Sequence, residues 1–143
     1  MRVYFDTSAL VPTYVPEALT PLAVAQLAAA EAVYISWLTE VEICSALALK
    51  TRTGELEKEE AQRVLDVFRR HVKAKAYEVV PVSRDVFSLA AASLNRFETA
   101  LRALDALHLA CCQLFELKLL TADGGLARGA THFGIPHEHI GTG

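Results

Sequence analysis

Apolar positions between residues 57 and 75 recur every three or four residues, the spacing that puts side chains on one face of an α-helix. Shorter apolar runs, rich in β-branched and aromatic residues, are typical of buried strands. These runs lie at residues 3–5, 33–35, 77–82 and 117–121. Strands and helices therefore alternate along the chain. This order predicts an α/β fold, a three-layer sandwich in which a central, mostly parallel sheet is flanked by helices.

Further helices are predicted from composition and from start and stop signals. They span residues 21–30, 37–51, 84–97, 103–116 and 126–133. Thr20 is predicted as the N-cap of the first, with Pro21 at its first helical position. A last strand is expected after residues 134–136. In sheets of this kind, binding sites form outside the carboxyl ends of the strands.

The length of 143 residues fits a single domain, residues 1–143, and 52% of the residues are hydrophobic, which is enough for a core. No run reaches the roughly 18 to 20 apolar residues of a membrane-spanning helix. The first residues do not look like a signal peptide, so a cytoplasmic protein is expected. The three cysteines lack metal-binding or redox spacing and are expected to be small buried residues.

The net charge of −3 argues mildly against binding nucleic acid by bulk attraction. The charge is unevenly spread, because residues 50–75 contain eight basic and five acidic residues. Within that segment a short stretch has no acid and contains Arg69, Arg70, Lys73 and Lys75. It is either the solvated end of a helix, where cations are favoured, or a patch that contacts phosphates.

Four acidic residues are candidates for chemistry. Asp6 and Asp123 each follow a predicted strand, which places both at the carboxyl edge of the sheet. The alternative for each is an N-cap of the next helix. Asp105 lies near the start of an apolar helix, where burial is costly unless helix amides, Arg102 or a metal ion compensate its charge.

The helix predicted over residues 37–51 offers two acids, Glu40 and Glu42, and periodicity does not choose between them. Two residues correspond to about 200° around a helix, so only one of the two can face a given point. Glu42 also has a local alternative, because Thr39-x-x-Glu42 matches a capping box.

Four segments together resemble the motifs of the PIN-domain family. Residues 6–10 look like its opening, residues 39–47 are similar to its second motif, and residues 101–110 and 120–123 resemble its third and fourth. The match to the family's metal-binding glutamate falls on Glu42. The segments occur in the family's order and span nearly the whole chain. The run Leu-Asp-Ala-Leu-His-Leu-Ala looks most like VapC-type toxins of bacterial toxin–antitoxin pairs.

The resemblance implies a metal-dependent endoribonuclease. Its catalytic and metal-binding residues would be Asp6, Glu42, Asp105 and Asp123. Ser8 and Thr121 would orient these carboxylates or a water molecule. Clustered carboxylates repel one another, and one or two hard cations such as Mg²⁺ or Mn²⁺ remove that conflict. The resemblance also implies an RNA substrate, a cognate antitoxin and a homodimer.

Two departures from the family pattern are present. Gly124 and Gly125 stand where the family often places another acid, which leaves Asp123 on what is expected to be a flexible turn. His137 and His139 replace a more apolar last strand and are expected to belong to a polar chain end. His108 is expected to be structural.

Two other functions compete with the nuclease. One is a PIN-like domain that has lost activity and serves as an interaction module, and the presence of all four acids counts against it. The other is a nucleotide-binding module of flavodoxin or Rossmann type. Such a module needs a glycine-rich loop after the first strand, and residues 6–10 contain no glycine.

Overall fold

The computed structural model describes residues 1–141 and contains one five-stranded sheet. Every strand pairing is parallel, and the strand order is β3-β2-β1-β4-β5. The strands are β1 (Arg2–Phe5), β2 (Ala32–Ser36), β3 (Glu78–Val80), β4 (Lys118–Thr121) and β5 (His137–His139). The predicted α/β fold with a parallel sheet is therefore confirmed.

Seven helices and one short 3-10 helix connect the strands of the described part of the chain. The helices are α1 (Thr7–Leu10), α2 (Thr20–Ala29), α3 (Trp37–Arg52), α4 (Lys58–Lys73), α5 (Arg84–Leu94), α6 (Ala103–Leu114) and α7 (Gly124–His132), and the 3-10 helix is Val11–Thr13. Parallel neighbours need such crossovers, because the chain must return to the starting edge before each new strand.

Alternation along β1 divides the core into two layers. Successive side chains of a strand point to opposite faces of the sheet. Tyr4 packs with residues of α5, α6 and α7, whereas Val3 and Phe5 pack with residues of α3 and with Phe68 of α4. Both faces are thus covered by helices, which explains why β1 is apolar at consecutive positions.

The carboxyl ends of β1, β2 and β4 lie side by side at one edge of the sheet. In the register, Tyr4 of β1 pairs with Tyr34 of β2 and Leu119 of β4. The residue after β1 is Asp6, whose backbone N–H donates to Leu120 O at 3.2 Å. The segments that follow β1, β2 and β4 therefore meet at this edge of the sheet.

Several predicted boundaries need correction. Thr20 is not an N-cap but the first helical residue of α2, and its hydroxyl donates to Pro12 O and accepts from Glu17 N. The helix predicted over residues 84–97 ends at Leu94, and the strand predicted over residues 77–82 covers only Glu78–Val80.

The last strand expected after residues 134–136 is present, and the polar residues 137–139 form it. His137 and His139 flank Glu138 in β5, which extends the sheet beside β4. Their side chains form hydrogen bonds within the protein, His137 to Ile135 O and Thr131, and His139 to Ala122 O.

Among residues 1–141, no helix is long and apolar enough to cross a membrane. The cysteines behave as expected, because Cys111 and Cys112 are buried, Cys44 is partly buried and all three are free thiols. Burial raises the pKa of Cys111 to about 11, so this thiol stays protonated at neutral pH.

Candidate functional site

Asp6 lies directly after β1 and is almost completely buried, with 6% of its surface exposed. It is the N-cap of α1, and its carboxylate accepts hydrogen bonds from Ser8 N at 3.3 Å and Ser8 Oγ at 2.8 Å. Burial raises the pKa of Asp6, and the nearby His108 and the hydrogen bonds from Ser8 offset only part of that effect. The site therefore holds a carboxyl group whose negative charge is incompletely compensated by the protein.

Ser8 and Thr121 connect the end of β1 to the end of β4. Their hydroxyl oxygens are 3.2 Å apart, and Ser8 Oγ also accepts from Ala122 N at 2.9 Å. Thr121 Oγ1 accepts from Asp123 N at 2.9 Å. The two hydroxyls thus form a continuous bridge from the Asp6 carboxylate to the backbone of Asp123.

The structure resolves the choice between the two acids of α3. Glu42 accepts from Thr7 Oγ1 at 2.9 Å and from His108 Nε2 at 2.5 Å, next to Asp6. Glu40 instead accepts from Arg69 at 2.7 Å on the outer surface. The geometry therefore places Glu42, and not Glu40, at the sheet edge.

The capping-box alternative for Glu42 is wrong. Helix α3 begins one turn earlier than that alternative required, because Ser36 is its N-cap and Thr39 is the reciprocal partner. Thr39 Oγ1 accepts from Ser36 N at 3.2 Å. Glu42 is thus free of any capping role and can serve the site.

His108 was expected to be structural, and it is buried in the core but also contacts a candidate site carboxylate. It is 2% exposed and lies between Glu42 and Tyr4, whose hydroxyl is 2.7 Å from His108 Nδ1. Tyr4 Oη is also 2.9 Å from Ser36 Oγ. The carboxylate is an acceptor only, so the hydrogen on His108 Nε2 points to Glu42.

This buried chain of side chains sets the protonation of Glu42. Burial alone raises the pKa of Glu42, but the hydrogen bond from His108, the charge that His108 carries when protonated, and the hydrogen bond from Thr7 together lower it. Burial raises the pKa of Tyr4 well above its ordinary value, so Tyr4 keeps its proton. The one signal in the sequence was His108 on the apolar stripe of α6, which indicates a buried polar partner.

Asp123 caps a helix, as its alternative proposed, and Asp105 receives a backbone amide at the start of α6, as its own alternative proposed. Asp123 Oδ1 accepts from Gly125 N at 2.8 Å and from Leu126 N at 3.3 Å, which makes Asp123 the N-cap of α7. The expected flexible turn is therefore wrong, because α7 begins directly at Gly124. Asp105 Oδ2 accepts from Arg102 N at 3.3 Å.

These capping bonds occupy one oxygen of each carboxylate. The second oxygen of Asp105 and of Asp123 is available to a ligand, so capping and ligand binding are compatible. A cavity of about 250 Å³ opens between Asp105 and the first turn of α7 at Gly125. Asp105 therefore lies across this cavity from the helical turn that Asp123 caps.

The donor set of the site fits a hard divalent cation. The four candidate ligands are carboxylates, and the adjacent polar groups are hydroxyls, which together supply the oxygen donors that Mg²⁺ prefers. Burial raises the pKa of Asp6, and a cation bound beside it would favour the charged form of this carboxyl group. Within residues 1–141, no three histidine, cysteine, aspartate or glutamate side chains are spaced to hold a metal ion as they stand.

Two of the four basic candidates for nucleic-acid contact lie near the sheet edge. Arg69 and Lys73 of α4 line a small cavity with Ser36 and Trp37, at the carboxyl end of β2. Arg70 lies beside them along a second cleft of α4. Lys75 follows α4 in a left-handed backbone conformation with φ of 62°. Arg69 is partly neutralised by its ion pair with Glu40.

Comparison with known proteins matches residues 3–131 to the PIN domain family. The chain is 29% identical over 128 residues to ribonuclease VapC3 of Pyrobaculum aerophilum, covering 89% of this chain and 93% of that protein.

Two solved structures have the same fold. The chain superimposes on FitAcB of Neisseria gonorrhoeae with a TM-score of 0.71 at 18% identity, covering 96% of this chain and 97% of the other. It superimposes on VapBC-5 of Mycobacterium tuberculosis, a member of the VapBC family of toxin–antitoxin systems, with a TM-score of 0.63 at 17% identity, covering 99% and 98% of the two chains.

Proposed function

The chain belongs to the PIN domain family, and from that premise we propose that it is a metal-dependent ribonuclease that serves as the toxin of a toxin–antitoxin pair. The similarity to a ribonuclease over nearly the full length supports the reaction. The shared fold with a toxin–antitoxin protein supports the biological setting.

One observation carries this proposal more than any other. At the carboxyl edge of the sheet, hydrogen bonds join the Asp6 carboxylate through Ser8 and Thr121 to the backbone of Asp123, and Thr7, the residue after Asp6, donates to Glu42. These groups come from three separate parts of the chain. Their convergence on one edge is the arrangement that a site for chemistry on phosphates requires.

The side chains at the sheet edge have two kinds of role in the proposed reaction: some would hold the metal ion, and others orient those ligands. Asp6, Glu42 and Asp105 would hold a Mg²⁺ or Mn²⁺ ion, and Asp123 would complete the site or hold a second ion. When bound, such an ion activates water and neutralises charge that develops on the phosphate. Ser8 and Thr121 keep the Asp6 carboxylate oriented, and Thr7 and His108 do the same for Glu42.

Arg69, Arg70, Lys73 and Lys75 would guide the RNA backbone toward the sheet edge by charge. The proposed partners are an RNA substrate, a cognate antitoxin and a second copy of the chain. Light scattering at micromolar concentration measures the last of these directly, and a monomeric mass would contradict the homodimer.

The experiment is cleavage of a labelled single-stranded RNA with Mg²⁺, with Mn²⁺ and with EDTA, using the wild-type protein and an Asp6→Asn variant. We expect cleavage with either metal and none with EDTA. The variant should lose at least about 100-fold in activity, because it removes a metal-binding charge while keeping an acceptor for Ser8.

Asp66→Asn is the matched control, because it changes the same residue type on the exposed surface of α4. It should cleave like the wild type. Metal-independent cleavage, or full activity of Asp6→Asn, would contradict the proposed site. A folded wild-type protein that neither cleaves RNA nor binds Mn²⁺ by calorimetry would favour the interaction module, whereas one that binds Mn²⁺ without cleavage would favour a narrow target RNA.

A further inference from the structure

The cavity of about 250 Å³ near Asp105 lies between the loop that joins α5 to α6 and the helix α7, and we call it the loop cavity. Its walls are residues 98–101 of the loop, Asp105 of α6, and Gly125, Arg128, Gly129 and His132 of α7. It is smaller than the roughly 300–1,000 Å³ of a site for a drug-sized ligand. It suits one small unit, such as a single nucleotide.

Contacts on both walls connect the loop to α7. Glu98 pairs with Arg96 at 2.8 Å and with His132 of α7 at 3.1 Å. A Cβ on Gly129 would lie only 2.7 Å from the Leu101 side chain, so Leu101 packs directly against the backbone of α7. The loop is therefore held to α7 at two points, one on each side of Thr99.

Arg128 supplies an uncommitted positive charge in this cavity. Its guanidinium lies across the first turn of α7, where Nη1 would be 3.2 Å from a Cβ on Gly124 and Nη2 would be 3.8 Å from a Cβ on Gly125. Among residues 1–141 it forms neither an ion pair nor a hydrogen bond, although Asp105 lines the same cavity. A guanidinium offers a planar set of donors that matches a phosphate.

Phe97 stands immediately before the cavity wall and is 87% exposed, more than any other large hydrophobic residue described. Its φ is 55°, a left-handed conformation that is uncommon for a bulky side chain. The other two such positions, Lys75 and Glu116, also follow helices and carry charged side chains suited to solvent. Neither burial nor backbone conformation explains an aromatic ring at residue 97.

These observations converge on a ligand with both a phosphate and a flat ring. Proteins bind single-stranded RNA by stacking bases on exposed aromatic side chains and by contacting the backbone with cations. We propose that the loop cavity binds one nucleotide of the RNA strand, with Arg128 on its phosphate and Phe97 against its base. This inference rests on the proposed ribonuclease function and assigns a nucleotide position beside Asp105.

The test measures RNA affinity separately from cleavage. Binding of a fluorescein-labelled single-stranded RNA is followed by anisotropy in the Asp6→Asn background, and steady-state cleavage is measured in the active protein. Phe97→Leu should weaken RNA binding about 5- to 100-fold, as expected for loss of one stacked base, and Phe97→Tyr should restore it. Arg128→Gln should weaken binding and lower the slope of log affinity against log salt by about 0.7.

Matched controls change the same residue types elsewhere. Phe87→Leu alters an exposed phenylalanine in the first turn of α5, and Arg52→Gln alters an exposed arginine at the far end of α3. Both should bind RNA like the reference protein. In cleavage, Phe97→Leu should raise KM and leave kcat nearly unchanged, because a stacking contact is made before and during the reaction.

The outcomes separate the two proposals. If the wild-type protein shows no metal-dependent cleavage, the proposed ribonuclease function is contradicted, whatever the results with the variants. If the wild-type protein cleaves RNA but Phe97→Leu and Arg128→Gln bind and cleave like their controls, the nucleotide site is contradicted. A protein ligand for the loop cavity would then be favoured. Equal losses in Phe97→Leu and Phe87→Leu also defeat it, because the effect would then not belong to this cavity.

Discussion

The two halves of the candidate site are held in different ways. In the inner half, Glu42 receives hydrogen bonds from side chains of distant residues, including the buried His108, and Asp6 receives them from Ser8, whose hydroxyl lies 3.2 Å from that of Thr121 on β4. Within residues 1–141, the outer half, Asp105 and Asp123, receives hydrogen bonds only from backbone amides close in sequence. Glu42 is therefore oriented by the tertiary fold, and Asp6 by a local cap that Ser8 connects to the end of β4. The outer half is oriented by local backbone amides, and its Asp105 lines the loop cavity.

The two halves differ in whether a substitution can alter activity without altering folding stability. Inner-half residues are coupled to buried polar groups, so a substitution there changes folding stability and activity together. Outer-half carboxylates use one oxygen for capping and keep the other for a ligand. An isosteric amide in the outer half retains the cap and removes only the charge.

The largest expected effect comes from paired substitutions on α3. Glu42→Gln should lower cleavage by about 100-fold or more, because it removes a charge from the inner half and changes the partner of His108. Glu40→Gln, two residues away, should lose only a surface ion pair with Arg69 and keep full activity. Comparable losses in both variants, measured as kcat/KM, would contradict the assignment of Glu42.

A smaller loss is expected in the outer half. Asp123→Asn should reduce cleavage by about 10- to 100-fold while its free energy of unfolding stays within about 0.5 kcal/mol, because asparagine also caps helices. Asp123→Ala should lose the same activity and about 1 kcal/mol of stability as well. Urea denaturation and cleavage of the two variants measure this separation, and identical stabilities would show that the cap contributes nothing.

Removing one buried hydroxyl should have a still smaller effect on activity. Tyr4→Phe leaves the ring in the core but removes the hydroxyl that hydrogen-bonds with His108 and Ser36. We expect Mn²⁺ affinity to fall about 10-fold, since His108 orients Glu42. The control is Tyr34→Phe, whose hydroxyl contacts Arg2 at the surface. An unchanged Mn²⁺ affinity of Tyr4→Phe, measured by calorimetry, would contradict the proposal that Tyr4 acts on Glu42 through His108.

The smallest effect concerns stability against pH in the metal-free protein. The pKa of Asp6 is raised above 3.8, so its favourable contribution exists below pH 3.8 and is lost as pH rises through the raised pKa. The pKa of Glu42 is lowered below 4.5, so its contribution exists above pH 4.5 and is lost as pH falls through the lowered pKa. The two inner-half carboxylates therefore act in opposite directions.

At neutral pH in EDTA, Asp6→Asn should consequently melt above the wild type and Glu42→Gln below it. Each unit of pKa difference corresponds to about 1.4 kcal/mol. Thermal unfolding by circular dichroism between pH 3 and pH 8 measures both variants. Stabilities that shift in the same direction would contradict the proposed electrostatics of the inner half.

Much of the fold was predictable because its signals are local. The helical period of α4, the apolar runs of β1, β2 and β4, and the aspartates at two strand ends can each be recognised within a few residues. β5 was less predictable, because His137 and His139 carry no strand pattern. These residues form a strand because β4 offers an open edge for pairing.

From the sequence alone, the longer helices, the strands, their order and a parallel sheet could be predicted, and capping was one of two alternatives for Asp6 and for Asp123, since the signals for each element lie within a few residues. The short helix α1 and the 3-10 helix after it were not predicted. Tertiary contacts were needed to show that Glu42 lies at the sheet edge and Glu40 on the outer surface, where periodicity left the choice open. They also show that His108 joins Tyr4 to Glu42 and that Arg128 and Asp105 line one cavity. Those contacts link residues far apart in the chain, and they depend on how each helix is rotated against the sheet. Packing of side chains across the whole molecule sets that rotation, and no local pattern encodes it.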